Sequence, residues 1–234
     1  MEYPVYIHGL RTAPKVALTF DDGPNPPRTE QVLEILAEAH IRATFFVMGK
    51  WAERFPRTVE RLLAAGHLVG NHGYSGQRPL GDYDEAEAVI SHITGKPSRY
   101  LRSHTYNHAA YFQSEVSRLP GSLTIGLDID ADDWDESDPE AITRNVLDHP
   151  RLGPGAIINL HDGAEYEDPS VRLVRPLGTL VALPRIIAGL RDRNLACVAL
   201  DEMELAPPVT WTWNDGTHDL VLKADAQERA AAAR

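Results

Sequence analysis

The sequence has a single cysteine, Cys197, among its 234 residues, and this excludes an intrachain disulfide. Cys197 lies in the apolar run LACVAL, which favours a buried, unreactive thiol. Long apolar runs are missing too, since no stretch approaches the roughly 20 residues that a membrane-spanning helix needs. Basic residues are outnumbered, with 23 Lys and Arg against 34 Asp and Glu, for a formal net charge of −11. A charge of that sign disfavours nucleic acid and anionic membranes as partners.

A signal peptide is absent as well. The first ten residues, MEYPVYIHGL, lack the basic and apolar regions that such a peptide carries. The sequence therefore predicts either a cytoplasmic protein or a secreted one expressed without its leader. With 234 residues, 43% of them hydrophobic, the chain has the size and composition of one globular domain.

What the sequence does contain is a regular alternation of strand-like and helix-like segments. Short β-prone runs, predicted as strands, are KVALTF, ATFFVMG, HLVGNH, RYLRS, LTIGLDID, GAIINLHD and ACVAL. Segments with helical spacing of apolar residues, predicted as helices, are RTEQVLEILAEAH, TVERLLAAG, DYDEAEAVISHIT, YFQSEVSRL, PEAITRNVL and LVALPRIIAGLRDRN, the last with Pro184 near its first turn. Roughly seven such units predict a parallel sheet covered by helices, because parallel strands need helical crossovers.

Polar residues gather where the predicted strands end. They are Asp21, Asp22, Asn71, His72, Arg102, Asp128, Asp130, His161 and Asp162. A closed barrel carries its chemistry at the C-terminal ends of many strands, whereas an open doubly wound sheet concentrates it at one switch point. The distribution favours a TIM-like α/β barrel.

The last part of the chain, residues 206–234, is predicted to be separate from a barrel formed by residues 1–205. VTWTW and HDLVLK flank NDGT, a sequence typical of turns, and this pattern predicts a β-hairpin. The closing AQERAAAAR predicts a short helix. Trp211 and Trp213 share one face of the first strand; packing on the barrel is the favoured role and stacking on a sugar is the alternative.

The stretch TFDDGP ends the first predicted strand with two neighbouring carboxylates, Asp21 and Asp22. Two like charges in so constrained a loop repel each other. A division of labour resolves this, in which one carboxylate coordinates a cation and the other acts as a base toward water. The alternative is structural, with one aspartate capping the turn that follows.

Five segments resemble, in order along the chain, the motifs of one enzyme family: TFDDGP, GNHGYSG, YLRSHTY, DIDADDW and INLHD. On these motifs the sequence resembles the polysaccharide deacetylases of the NodB homology type, carbohydrate esterase family 4. The resemblance implies a distorted (β/α)7 TIM-like barrel and metal-assisted hydrolysis of an N- or O-linked acetyl group on a glycan. The implied partner is an acetylated glycan, such as a chitooligosaccharide, peptidoglycan or xylan fragment.

The resemblance also implies roles for residues in the first three segments. Asp21 matches the general base, and Arg102 matches the arginine that pairs with this base. Asp22 and His72 match metal ligands, for zinc or another divalent metal such as cobalt or nickel.

In the last two segments the resemblance implies the acid side of the reaction. His161 matches the general acid toward the leaving amine or alkoxide, a role that suits an imidazole. Asp130 or Asp133 matches the residue that orients this histidine. Trp134 matches a wall of the substrate pocket, and Tyr106 in the third segment is a further substrate-binding candidate.

One expected ligand is missing, because Gly76 stands where the family has its second metal histidine, four residues after the first. Catalytic zinc sites use three protein ligands and one open position. A third ligand must therefore come from elsewhere if a metal binds. Candidates are His104 or His108 of HTYNH and Asp82 or Asp84; the alternative for both histidines is that they line the pocket or lie at the surface.

Three functions remain open on the sequence. The first is a deacetylase whose metal site is completed by one of these residues. The second is a metal-independent hydrolase of a more reactive amide or imide, with no cofactor. The third is a glycan-binding protein without catalysis. Because the positions of the base, the first two ligands and the acid are all filled, the sequence favours an active hydrolase.

Overall fold

The structure, a computed structural model, describes residues 2–75, 80–103, 119–163, 176–212 and 221–222. The strands are β1 (Glu2–Val5), β2 (Lys15–Asp21), β3 (Thr44–Val47), β4 (Leu68–Asn71), β5 (Tyr100–Leu101), β6 (Leu123–Thr124), β7 (Ile129–Asp130), β8 (Ile157–His161), β9 (Ala196–Val198), β10 (Val209–Thr212) and β11 (Val221–Leu222). The helices are α1 (Arg28–Ala39), α2 (Gly49–Arg54), α3 (Pro56–Ala64), α4 (Asp82–Thr94), α5 (Pro139–Leu147) and α6 (Pro176–Asp192).

A curved parallel sheet forms the body of the molecule. Its strand order is β6-β5-β4-β3-β2-β8-β7, and β9 pairs in parallel with the first residues of β2. The helices between these strands pack on the outer face of the sheet. The larger of two apolar clusters lies between them and contains side chains of β2, β3 and β8 together with side chains of α1, α3, α5 and α6. The predicted α/β architecture, a distorted (β/α)7 barrel, is confirmed.

The central strand β2 is buried on both faces, and its side chains alternate between them. Ala17 lies in the smaller apolar cluster, on the inner side of the barrel. Thr19 and Asp21, two and four residues later, lie on the same face of the strand. The inner face therefore becomes polar toward the C-terminal end of the strand, where the chemistry of a barrel collects. The residues that face the helices are Val16, Leu18 and Phe20.

The predicted strand LTIGLDID is wrong as a single strand, because the structure divides it into β6 and β7. The backbone N–H of Ile125 donates to β5, that of Gly126 donates to Tyr6, and that of Asp128 donates to β8. The segment thus exchanges one neighbour for another within four residues. The division lies where the chain start, at Tyr6, pairs with the sheet.

Helix α6 begins earlier than predicted, at Pro176, so Pro184 lies inside the helix and not near its first turn. The ring nitrogen of Pro184 carries no hydrogen, so it cannot donate to the backbone carbonyl one turn earlier in the helix. Pro184 lies on the exposed face of the helix, where water can take the place of that donor. Residues 176–179, which the prediction left out, form the turn that reaches the site described below.

A second, antiparallel sheet of three strands joins the chain start to the segment after residue 205. β1 pairs with β10 along four residues, and β10 pairs with β11. The predicted division at residue 205 remains a prediction. The turn of the predicted hairpin, the closing helix, and most of the predicted helix YFQSEVSRL lie outside the described residues. No helix in the described part of the chain is long and apolar enough to cross a membrane.

Candidate active site

Polar side chains from four strands meet at the C-terminal end of the barrel. Asp21 ends β2 and is paired with His161, the last residue of the neighbouring strand β8. His72 directly follows β4, and Arg102 directly follows β5. The fold thus brings side chains from distant segments of the sequence to one rim.

Arg102 is the buried hub of this rim, with only 1% of its surface exposed. Its Nη1 lies 2.9 Å from Asp21 Oδ1, 2.8 Å from Thr19 Oγ1 and 2.6 Å from Asn159 Oδ1. Its other two nitrogens donate to the backbone oxygens of residues 125–126. Arg102 therefore fixes the orientation of the Asp21 carboxylate and compensates its charge in a buried setting.

Asp22 continues from Asp21 in the left-handed backbone region, with φ of 68°. Few residues other than glycine adopt this region, and aspartate is one of those that tolerate it. The turn carries the second carboxylate toward His72, whose Nε2 lies 3.4 Å from Asp22 Oδ1 and 3.7 Å from Asp21 Oδ2. His72 itself is buried.

The hydrogen bonding of His72 indicates what fits between these groups. Its Nδ1 lies 3.0 Å from the backbone oxygen of Arg102, so Nδ1 carries the hydrogen in that bond. In the neutral ring Nε2 then turns a lone pair toward the Asp22 carboxylate, and two acceptors need a proton or a cation between them. Burial lowers the pKa of His72, but Asp21 and Asp22 outweigh it and raise the pKa overall.

The spacing of the two donor atoms fits a metal ion. Ligand bonds of about 2.0 to 2.2 Å in a tetrahedral arrangement separate two donors by about 3.3 to 3.6 Å. The 3.4 Å between Asp22 Oδ1 and His72 Nε2 lies within that range. The backbone carbonyl behind His72 is the second partner that metal-ligating histidines usually have.

The described residues supply two such ligands and not a third. Across the ranges that the structure describes, no group of three or more His, Cys, Asp or Glu side chains could hold a metal. Asp82 at the start of α4 accepts hydrogen bonds from the backbone N–H groups of Tyr74 and Ser75, and so holds the turn after β4. Asp84 belongs to no such metal-binding group either. The residues that lie outside the described ranges are Gly76, His104, Tyr106 and His108.

His161 is oriented by Asp133. The histidine Nδ1 lies 2.8 Å from Asp133 Oδ1, and its backbone N–H donates to Oδ2 at 3.0 Å. Thr179, in α6, also donates to Oδ2, at 2.5 Å. Burial lowers the pKa of His161, but Asp133, aided by Asp22 and Asp21, raises it to about 10. These carboxylates favour the protonated form of His161, and Nε2 is the nitrogen that can give a proton to a ligand.

The sequence motif DIDADDW offers two aspartates, Asp130 and Asp133, as the residue that orients His161. The hydrogen bonds in the structure distinguish them. Asp133 accepts from His161, whereas Asp130 accepts from the backbone N–H of Asp132 at 3.0 Å. Burial raises the pKa of Asp130. Trp134 follows Asp133 with 48% of its surface exposed, so part of its ring faces solvent beside the site.

A second aspartate and threonine pair, which sequence reasoning missed, joins the loops after β2 and β8. Asp162 Oδ2 accepts from Thr29 Oγ1 at 2.5 Å, and no described residue hydrogen-bonds its Oδ1. A Cβ on Gly23 would clash with this carboxylate, and one on Gly163 would clash with the backbone oxygen of Asp22. Burial and the neighbouring Asp22 raise the pKa of Asp162 to about 7. The Asp-Gly pair shared by FDDG and LHDG was the signal available in the sequence.

The arrangement has a proton acceptor and a proton donor at the same rim. Asp21, fixed by Arg102, can take a proton from water, and His161, fixed by Asp133, can give one to a leaving group. Such a pair supports hydrolysis of an amide or ester.

Comparison with known proteins agrees with this chemistry. A family model described as Polysaccharide deacetylase matches residues 9–108. A chitooligosaccharide deacetylase of Sinorhizobium fredii is 35% identical over 204 residues, which cover 81% of this chain and 92% of that protein.

Solved structures share the fold. A crystal structure of a peptidoglycan N-acetylglucosamine deacetylase, in complex with 4-naphthalen-1-yl-N-oxidanyl-benzamide, is 27% identical with a TM-score of 0.73, covering 86% of this chain and 93% of that one. A pseudoenzyme of carbohydrate esterase family 4 from Bacillus anthracis is 20% identical with a TM-score of 0.70, covering 85% and 68%, and shows the fold alone. By its likeness to these proteins, the chain belongs to the polysaccharide deacetylase family, hydrolases that remove acetyl groups from glycans.

Proposed function

We propose that this chain hydrolyses the N-acetyl group of a glycan that contains N-acetylglucosamine, with Asp21 and His161 transferring the protons. The observation that carries the proposal is the placement of these two residues on adjacent strands, one held by Arg102 and the other by Asp133. The relatives named for chitooligosaccharides and for peptidoglycan support the substrate class. The net charge of −11 favours a neutral glycan over an anionic one.

The proton transfers follow from the two side chains. Asp21 accepts a proton from water as the water oxygen bonds to the acetyl carbon. His161 gives its Nε2 proton to the glucosamine nitrogen as the carbon–nitrogen bond breaks. The products are a free amine and acetic acid, which loses its proton to solvent and becomes acetate. The proton on Asp21 also passes to solvent, and His161 regains one from it. Each positioned acid or base of this kind contributes about 10²- to 10⁴-fold to the rate.

Members of this family generally depend on a divalent metal. In this chain Asp22 and His72 would hold it, and their oxygen and nitrogen donors suit zinc, with cobalt and nickel as alternatives. When bound, the cation supplies Lewis-acid polarisation of the acetyl group and of water. His104 and His108 remain the candidates for a third ligand.

The test measures acetate release from an N-acetylchitooligosaccharide, a peptidoglycan fragment and acetylated xylan. Metal content is determined by elemental mass spectrometry, and activity is compared after chelation and after addition of Zn²⁺, Co²⁺ or Ni²⁺. We expect stoichiometric metal, loss of activity on chelation, and at least about 10²-fold loss in Asp21→Asn. Asp201→Asn, a change at an exposed carboxylate paired with Arg42, is the matched control and should keep full activity.

Two results would overturn the proposal in different directions. Turnover of cyclic ureides that survives chelation, without acetate release from glycans, would identify a metal-independent hydrolase of amides or imides. Glycan affinity without acetate release under any metal condition would identify a binding protein.

A further inference from the structure

We infer that Thr179 is a positioning residue for the acid step, acting on His161 through Asp133. This inference rests on the proposed function, because it concerns the residue proposed to protonate the leaving group. It extends the histidine and aspartate pair by one hydroxyl that comes from a different element, helix α6.

The contacts form a continuous chain from Thr179 through Asp133 to His161, and its first two members are buried. Thr179 Oγ1 lies 2.5 Å from Asp133 Oδ2, and Asp133 Oδ1 lies 2.8 Å from His161 Nδ1. Asp133 and Thr179 are each only 1% exposed. With water excluded, the direction of each hydrogen bond is set by the protein alone.

The hydroxyl determines which way the carboxylate faces. Asp133 Oδ2 accepts from two donors, the hydroxyl of Thr179 and the backbone N–H of His161. These two bonds hold the plane of the carboxylate, so that Oδ1 meets the imidazole. Without the hydroxyl one donor remains, and the carboxylate gains freedom to rotate about its terminal torsion, which is broad.

A neighbouring glycine lets the helix bring Thr179 so close. A Cβ on Gly178 would lie 2.7 Å from the backbone oxygen of Ser137 and 2.8 Å from Ile142. The first turn of α6 therefore packs directly on the segment that follows Asp133. A side chain at Gly178 would force the helix away and lengthen the bond from Thr179.

The predicted effect depends on the leaving group. Glucosamine nitrogen must be protonated as it leaves, so its release needs an oriented His161. An activated aryl acetate, such as 4-nitrophenyl acetate, releases a stable phenolate without that proton. Loss of the Thr179 hydroxyl should therefore slow the glycan reaction and spare the aryl ester.

The experiment compares Thr179→Val with Thr179→Ser on both substrates. For Thr179→Val we expect kcat on the N-acetylchitooligosaccharide to fall about 10- to 100-fold at unchanged KM, with aryl ester hydrolysis within about 2-fold of the parent. Thr179→Ser keeps a hydroxyl and should restore most of the glycan activity. Thr143→Val removes a hydroxyl that bonds to the Pro139 carbonyl within α5, and this control should leave both activities unchanged.

Equal losses on both substrates in folded Thr179→Val, or no recovery in Thr179→Ser, would overturn the inference. If Thr179→Val does not fold, Gly178→Ala provides the same comparison, and an unchanged ratio of the two rates would count against the inference. A parent protein with no glycan activity would instead refute the proposed function. The inference can then be tested alone by imidazole ¹H–¹⁵N NMR, where an unchanged His161 Nδ1–H signal in Thr179→Val would refute it.

Discussion

At the scale of single residues, Arg102 supports more of the site than any other described side chain. Its guanidinium donates hydrogen bonds to Asp21, Thr19 and Asn159. Its backbone oxygen accepts a hydrogen bond from Nδ1 of His72. Removing one member of a buried ion pair costs about 3 to 5 kcal/mol, because it leaves the other charge buried and unpaired. We therefore expect Arg102→Met to lower the free energy of unfolding by that amount, measured by equilibrium denaturation.

A double-mutant cycle isolates the ion pair within that loss. In an Asp21→Asn background, Arg102→Met should lower the free energy of unfolding by clearly less, because no carboxylate is then left buried without its partner. Arg185→Met is the matched control, since Arg185 pairs with Glu140 at the surface, where such pairs contribute about 0 to 1 kcal/mol. Equal costs in both backgrounds would mean that the pair contributes nothing beyond packing.

At this scale the sequence offered candidate residues through their position at predicted strand ends and through the motifs that contain them. The doublet Asp21 and Asp22, with His72 and His161, could be singled out because these residues lie at predicted strand ends and in motifs that resemble those of a known family, and the resemblance supplied their expected roles. It could not choose between Asp130 and Asp133, since the choice depends on which carboxylate the turn directs at His161. It listed Asp162 at a strand end without a role and did not single out Thr29 or Thr179, because a hydroxyl has many ordinary roles in a sequence.

At the scale of elements, the loops after β2 and β8 lie so close that a glycine is required between them. A Cβ on Gly163 would overlap the backbone oxygen of Asp22. We expect Gly163→Ala to displace the Asp22 loop and to reduce acetate release about 10²-fold, because a shift of about 1 Å in a catalytic group has that effect. Steady-state kinetics on the N-acetylchitooligosaccharide measure this.

A Gly→Ala change at a second position shows whether the loss comes from this clash or from replacing a glycine in general. A Cβ on Gly153 would meet no atom of the described residues within 4 Å beyond its chain neighbours, so Gly153→Ala should keep its activity. Thermal unfolding of both variants shows whether Gly163→Ala remains folded. Full activity in Gly163→Ala would mean that the two loops separate without consequence for the site.

Elements with a regular spacing of apolar residues could be predicted from the sequence. A segment that changes its neighbouring strand along its length could not. The helix α4 was predicted with its observed bounds because its polar start and apolar spacing are local properties. The division between β6 and β7 depends on Tyr6, more than 110 residues away in the chain. The early start of α6 likewise depends on Gly178 packing against Ser137, and no local pattern encodes that contact.

At the scale of the whole molecule, acid stability depends in part on His67, which joins α3 to β4 at the end of the barrel opposite the site. Its Nδ1 accepts from the Ala43 N–H at 3.1 Å, and its ring meets the edge of Phe45. Burial, with a smaller contribution from Arg42, lowers the pKa of His67 to about 4. Between pH 6.5 and 4 the unfolded chain therefore binds a proton that the folded chain does not, and stability falls as the pH falls.

We expect this residue to contribute a loss of about 2 kcal/mol between pH 7 and pH 4.5, since each pKa unit corresponds to about 1.4 kcal/mol. His67→Asn keeps an acceptor for Ala43 and removes the titration, so its free energy of unfolding should vary less with pH by that amount. Urea denaturation at the two pH values measures it. Parallel curves for parent and variant would show that His67 titrates normally.

The position of β2 at the centre of the sheet also bears on how the protein is made. Thr19 on β2 meets Asn159 on β8, 140 residues later in the chain. At ribosomal rates of about 5 to 20 residues per second, an apolar strand synthesised first waits roughly 7 to 28 seconds for that partner. Meanwhile its open edge can pair with strands of other nascent chains. Biogenesis is therefore the stage at which this topology is most vulnerable to aggregation, and soluble yield should respond to chaperone supply and translation speed.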